Sequence, residues 1–192
     1  INRSAIEDPA DMETILLENI RQDYGPVAVN ATGTFNGRTI TVDASVDFNT
    51  QFVNEDLKLI AVLVEDGVKG TTAGFNQTNY YANNAAGVMG GFEALPDPVP
   101  ASQMVYDEVG RELIFGFEGR TNTFSTEINA GDFADLSFDV DVPTAYNINN
   151  VYVVVMVADA AGAILGGAHT ESKTVGANDV NADLFSVGIS PN

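Results

Sequence analysis

The chain has 192 residues, 8 Lys+Arg against 27 Asp+Glu and a formal charge of -19. That surface excludes nucleic acid as a natural partner, because phosphate recognition needs clustered Lys and Arg, and it argues against anionic lipid. With no Cys and one His, His169, the chain has no disulfides, thiolate metal sites, cysteine nucleophiles or multi-histidine centres. The 45% hydrophobic residues can bury a core, whereas the longest apolar run, residues 151–158, is far short of the ~20 residues of a membrane helix.

Ile1-Asn2-Arg3-Ser4 carries no signal-peptide pattern, so a processed or truncated chain is expected. Residues 1–25 are expected to form an N-terminal helical segment. Asp8 is placed as N-cap, Pro9 as the first helical residue, and Asp11 and Glu13 on the positive end of the dipole. Gly25-Pro26 supplies the stop. Met12, Ile15, Leu16, Ile20 and Tyr24 fall at helical spacing, so one stripe must be buried against another element.

From Val27 the period becomes two. Val27, Val29, Ala31, Gly33 and Phe35 alternate with polar residues, and Asn36-Gly37 offers two positive-φ positions for a hairpin. Ile40, Val42, Ala44, Val46 and Phe48 then alternate in the return strand. Residues 58–64 and 151–157 are apolar on both faces, as in strands covered on both sides, and we expect them at the centres of two opposed antiparallel layers. Shorter strands are expected at 124–128, 136–142 and 164–165. The pattern predicts a mainly β chain: an immunoglobulin-like antiparallel β-sandwich over residues 26–175, preceded by the helical segment and followed by a strand or linker at 176–192.

Residues 67–100 interrupt the strands with a loop rich in Gly, Asn and Thr, longer than connections usually are unless they bind something or move. Phe75, Tyr80, Tyr81 and Phe92 stand there among Asn76, Gln77, Asn79, Asn83 and Asn84. Aromatic rings beside amides match the apolar face and hydroxyls of a sugar, so Tyr80, Tyr81, Asn83 and Asn84 are the candidate ligand-binding residues. The plainer expectation is that the aromatics pin the loop to the sandwich.

Other chemistry is sparse. Asp179, Asn181 and Asp183 have the oxygen spacing of a calcium loop, yet Leu184 and Ser190 replace its Gly and Glu, so a polar turn is expected. No cofactor is expected, calcium being the one candidate, and no catalytic or metal residue is assigned. Asp139 and Asp141 share a strand face and are expected to be its solvated side rather than an acid–base pair. His169 has no Gly-x-Ser-x-Gly elbow to serve and is expected at the surface.

Six stretches carry a resemblance: Val64-Glu65-Asp66-Gly67; Phe75-Asn76-Gln77-Thr78-Asn79-Tyr80-Tyr81; Gly87-Val88-Met89-Gly90-Gly91-Phe92-Glu93; Val105-Tyr106-Asp107-Glu108-Val109-Gly110-Arg111; 150–159; and Gly162-Ala163-Ile164-Leu165. Together they resemble the outer membrane protein 28-related family of Bacteroidota over roughly residues 1–170. Where that family often has a His in the fourth stretch, this chain has Asp107 and Glu108, while Arg111 matches. The resemblance implies a thioredoxin-like domain upstream, with residues 1–25 as either its tail or a helix docked on the sandwich. Leu184 to Asn192 is similar to the entry into a type IX secretion sorting domain, which implies export to the outer-membrane surface or the medium.

The expected function is therefore that of a non-catalytic, secreted or cell-surface β-sandwich serving protein–protein interaction, adhesion or assembly. Its partners would be another protein or a second copy, plus the type IX export machinery. The alternative is a carbohydrate-binding module using the Tyr80 and Tyr81 loop, and the third class, a hydrolase using Asp139 and Asp141, ranks last.

Overall fold

The computed structural model describes residues 25–84 and 86–171. The expected N-terminal helix, the calcium-like turn at 179–183 and the terminal strand lie outside them.

The described residues form an antiparallel β-sandwich. Nine strands are β1 (Val27–Asn36), β2 (Thr39–Phe48), β3 (Phe52–Val53), β4 (Lys58–Glu65), β5 (Val109–Leu113), β6 (Glu127–Ile128), β7 (Phe133–Asp141), β8 (Val151–Ala158) and β9 (Ile164–His169). Three of them make a sheet in the order β1-β2-β7, four make a sheet in the order β5-β4-β8-β9, and β3 pairs with β6.

Alternation sets the two layers facing each other. Ile40, Val42 and Ala44 from β2 and Val140 from β7 meet Leu59, Ala61 and Leu63 from β4 and Val151, Val153 and Val155 from β8 in one buried cluster. A second cluster, around Val27, Val46, Phe48, Leu57, Ile128 and Val157, fills one end. Phe48 seals that end edge-on to both Phe52 and Phe124, with ring centroids 5.9 and 5.7 Å apart.

One expectation about the layers is corrected. The two strands apolar on both faces are not the centres of opposite layers: β4 and β8 are antiparallel neighbours at the centre of the same sheet, Lys58 opposite Ala158 and Glu65 opposite Val151. Being apolar on both sides requires cover above and below, and adjacent strands satisfy that as well as opposed ones.

The first hairpin also shifts by one residue. Asn36 is still in β1, paired with Thr39, so the loop is Gly37-Arg38, and of Asn36 and Gly37 only the glycine has positive φ, at 62°. This register keeps Phe35 opposite Ile40 on the core side and releases Arg38 to tie down a distant loop. Its Nε donates to Val142 O at 2.8 Å, and Nη2 donates to Tyr146 O at 2.8 Å and to Pro143 O. The expected strand at 124–128 contracts to Glu127–Ile128, whereas β3 and β5 form where no strand was expected.

Among the described residues β7 is an open edge of the three-stranded sheet. Asp139 and Asp141 lie on its wet face, as expected, and accept hydrogen bonds from Thr41 and Thr39, each at 2.7 Å. On the other side of the sandwich β1 and β9 come together so closely that a Cβ on Gly166 would lie 2.2 Å from Val27 O, which only glycine avoids.

Candidate functional site

The long excursion between β4 and β5 is ordered by its own backbone. Val68 and Tyr106 exchange two hydrogen bonds, at 2.8 and 2.9 Å, and Gln77 and Val99 exchange two more, at 3.0 and 2.8 Å, making a stem. Phe75 and Tyr106 pin that stem: their rings are 6.2 Å apart, the Tyr106 hydroxyl donates to Phe75 O at 2.9 Å, and the Phe75 ring fills the space beside Gly70. These two rings order the loop from within.

The tip is organised by Asn79, which is 6% exposed. Its side-chain amide donates to Phe92 O at 2.7 Å, Leu95 O at 3.2 Å and Pro96 O at 3.4 Å, while its Oδ1 accepts from Tyr81 N at 3.1 Å. Its own backbone N–H donates to Asp97 Oδ1 at 2.9 Å. One buried amide thus joins the two halves of the tip by satisfying backbone groups on both sides.

Above it Thr78, Tyr80, Tyr81, Met89, Gly90 and Phe92 enclose, with Asn79, a concavity of about 530 Å³. Tyr80 is 78% exposed, Val88 87% and Phe92 49%. Tyr80 and Tyr81 stand edge to face, centroids 5.9 Å apart at 87°, so they offer a wall and a floor rather than one flat platform. Of the four residues expected to bind, Tyr80 and Tyr81 line the concavity. Asn83 is exposed at φ 59° outside it, and Asn84 ends the same short 3-10 turn. Met89, Gly90 and Phe92 complete the wall, and the apolar Val-Met pair in an otherwise polar loop was the signal for them.

The far wall is held by a carboxylate. Glu93 Oε2 accepts from Met89 N at 2.9 Å and Gly91 N at 3.0 Å. The Met89 N–H, followed by Glu93's own and that of Gly91, holds the Glu93 carboxyl below its ordinary range against a smaller opposing effect of desolvation. A depressed folded-state pKa means that the turn gains stability fully above the ordinary carboxylate pKa and loses it as pH falls through the lowered value. The Met89 and Gly91 amide resonances are therefore expected to shift on acidification below the ordinary carboxylate range, and Glu93→Gln to abolish that transition.

A second arrangement lies at the root of the loop. Glu65, 6% exposed, accepts from Asn147 N at 2.7 Å and faces Arg111 Nε at 3.2 Å. The Arg111 guanidinium stacks 4.1 Å from the Tyr146 ring. The Arg111 Nε–H is not aligned for a hydrogen bond, so its bond to Glu65 is an ion pair. Asp66 Oδ1 accepts from Glu108 N at 2.7 Å and Asp107 Oδ1 accepts from Gly67 N at 2.8 Å, a reciprocal clasp that gives both acids of the fourth resemblance stretch a backbone-fixing position.

Nearby, Val64, Asp66, Glu108, Tyr152, Val154 and His169 line a cleft of about 540 Å³ on the outer side of the four-stranded sheet. Burial pushes the Tyr152 phenol above its ordinary range, helped by the negative charges of Asp66, Glu108 and Asp107. His169 is at the surface, its ring edge-on to Tyr152 at 5.6 Å.

The family model described as "Outer membrane protein Omp28" matches residues 1–178. The chain belongs to this family. Membership in Omp28 bears out the resemblance and associates the chain with the outer membrane. The solved structure of HBP35 of Porphyromonas gingivalis is similar in fold, with a TM-score of 0.60 and 12% identity. The likeness covers 88% of this chain and 47% of that one, so the present chain spans under half the length of that protein. No curated protein matches the chain.

Proposed function

We propose that this Omp28 chain is a non-catalytic, exported surface module whose sandwich presents the loop tip to a protein partner. The observation that supports this most is the concavity of Tyr80, Tyr81, Met89 and Phe92, with Val88 beside it, on a loop whose backbone is already fixed. Apolar aromatics and Met on a rigid support are the anchors of protein interfaces, since little ordering entropy is lost on docking. The acidic surface around it keeps the exposed patch soluble and screens partners by charge. The sugar-binding alternative has less support. The Asn79 amide is consumed by backbone carbonyls, the two tyrosines are not coplanar, and Asn83 lies outside the concavity. Against catalysis, Asp139 and Asp141 are tied to threonines on an open sheet face. Export through the type IX machinery fits this surface role.

The test is a photo-crosslinking residue at Val88 in the full chain, examined on intact cells. A discrete adduct with one other protein, or with a second copy, that is lost in the Tyr80→Ser/Phe92→Ser variant is the expected result. Absence of any adduct, together with glycan retention that the same variant abolishes, would replace this reading with the sugar-binding one.

A further inference from the structure

The four-stranded sheet has two faces, and only one of them meets the other layer. Leu59, Ala61 and Leu63 of β4 and Val153 and Val155 of β8 point inward to the core. The alternate residues Ile60, Val62 and Val64, opposite Met156, Val154 and Tyr152, therefore form an apolar block on the outside. None of the six belongs to either interior cluster. Even so, Ile60 is 5% and Val64 6% exposed, and the other four are partly buried. A solvated outer face would carry polar residues along its length, as the outer face of the three-stranded sheet does with Thr39, Thr41, Asp139 and Asp141. Here Asp66, Glu108 and His169 border the end at Val64 and Tyr152, at the cleft, and the block between that end and Lys58 is apolar.

We propose that residues 9–24 cover this face, packing the Met12, Ile15, Leu16 and Ile20 stripe as a helix across β4 and β8. Three observations support that occupant. The stripe needs an apolar surface, and this block supplies one outside the core. The dimensions agree: a helix over residues 9–24 is ~24 Å long at ~1.5 Å per residue, and an eight-residue strand such as β4 or β8 spans ~27 Å. The point of attachment agrees too. Gly25 is held by a hydrogen bond from Asn49 Nδ2 to its carbonyl, at 2.9 Å, and a Cβ on it would lie 3.0 Å from Leu165 O. Residue 24 therefore joins the described chain beside β9, the immediate neighbour of β8 in the sheet. The helix turns the sandwich into three layers and gives the amphipathic segment a fixed place.

The chain has no cysteine, so engineered pairs report without interference. In the full chain, Met156→Cys is combined in turn with Ile15→Cys, Leu16→Cys and Ile20→Cys on the stripe, with Glu18→Cys on the opposite side, and with Phe185→Cys near the C-terminus. Disulfide geometry demands Cα atoms within about 7 Å, so cross-linking is a contact test. The expected result is an intramolecular disulfide from at least one stripe position at least ten-fold faster than from Glu18→Cys. Equal rates for stripe and Glu18 variants, faster closure with Phe185→Cys, or disulfides only between two chains would each overturn the proposal. As a check independent of pair geometry, Met156→Cys alone is expected to be slow to label with a thiol reagent, and at least ten-fold faster when Leu16→Asp and Ile20→Asp are added. Unchanged labelling would count against it.

Discussion

Replacing Arg111 by Met is expected to destabilise the fold by about 3 kcal/mol, because it leaves the Glu65 carboxylate buried and unpaired. Glu65 keeps Asn147 N as a donor but loses the cation 3.2 Å away, and Tyr146 loses the guanidinium stacked at 4.1 Å. The lower end of the usual range is appropriate since the Arg111 side chain is a quarter exposed and water screens part of the pair. For a domain of this size that loss lowers the thermal midpoint by roughly 6–12 °C. Glu65→Leu in the same background should recover most of it, because no charge is then left uncompensated and only the Asn147 N–H lacks its acceptor. A double-mutant cycle by denaturant unfolding measures both effects. A loss below about 0.5 kcal/mol for the Arg111 variant alone would show that the pair is solvated in solution.

The second large effect is local. Asn79→Ala removes at one stroke the donor to three carbonyls and the acceptor for Tyr81 N. Part-buried backbone groups left unpaired cost up to about 1–3 kcal/mol each, and together that is more than an excursion held by two bridges can absorb. The tip is expected to open while the two sheets hold, because Asn79 touches neither interior cluster. Hydrogen exchange should show Tyr81 losing protection by a factor of ten or more, proteolysis should cut within residues 78–97, and the global melt should move little. Asn79→Asp is expected to do the same, since it restores the acceptor but turns the donor into a charge facing carbonyls. Unchanged protection at Tyr81 in both variants would mean that the bridges alone hold the loop, and partner docking would then owe nothing to this amide.

The sheet alternation was legible in the sequence, because burying one face of a strand writes period two directly into residue choice: Ile40, Val42, Ala44, Val46 and Phe48 are all buried. The pairing of β4 with β8 was not, since an apolar run records only that both faces are covered. β5 escaped notice for a related reason: Val109-Gly110-Arg111-Glu112-Leu113 is an edge strand whose Arg111 is spent on an ion pair with Glu65, so it lacks an apolar period. At the loop tip, the aromatics were visible in composition. That Tyr80 and Tyr81 would meet Met89 and Phe92 was not, because a buried Asn79 brings the halves together and an asparagine among so many others gives no sign of burial.

One property of β7 reaches beyond the folded monomer. Among the described residues, the strand that displays Asp135, Asp139 and Asp141 is also an unpaired edge. A copy of the same strand adding there would bring carboxylates to about one strand spacing, ~4.8 Å, inside the ~8 Å over which physiological salt lets charges feel one another. Ionised aspartates thereby deny fibrillar growth its template. That protection is separate from how firmly the sandwich itself is held, so replacing the three aspartates by asparagine is expected to cost colloidal stability before it costs fold stability.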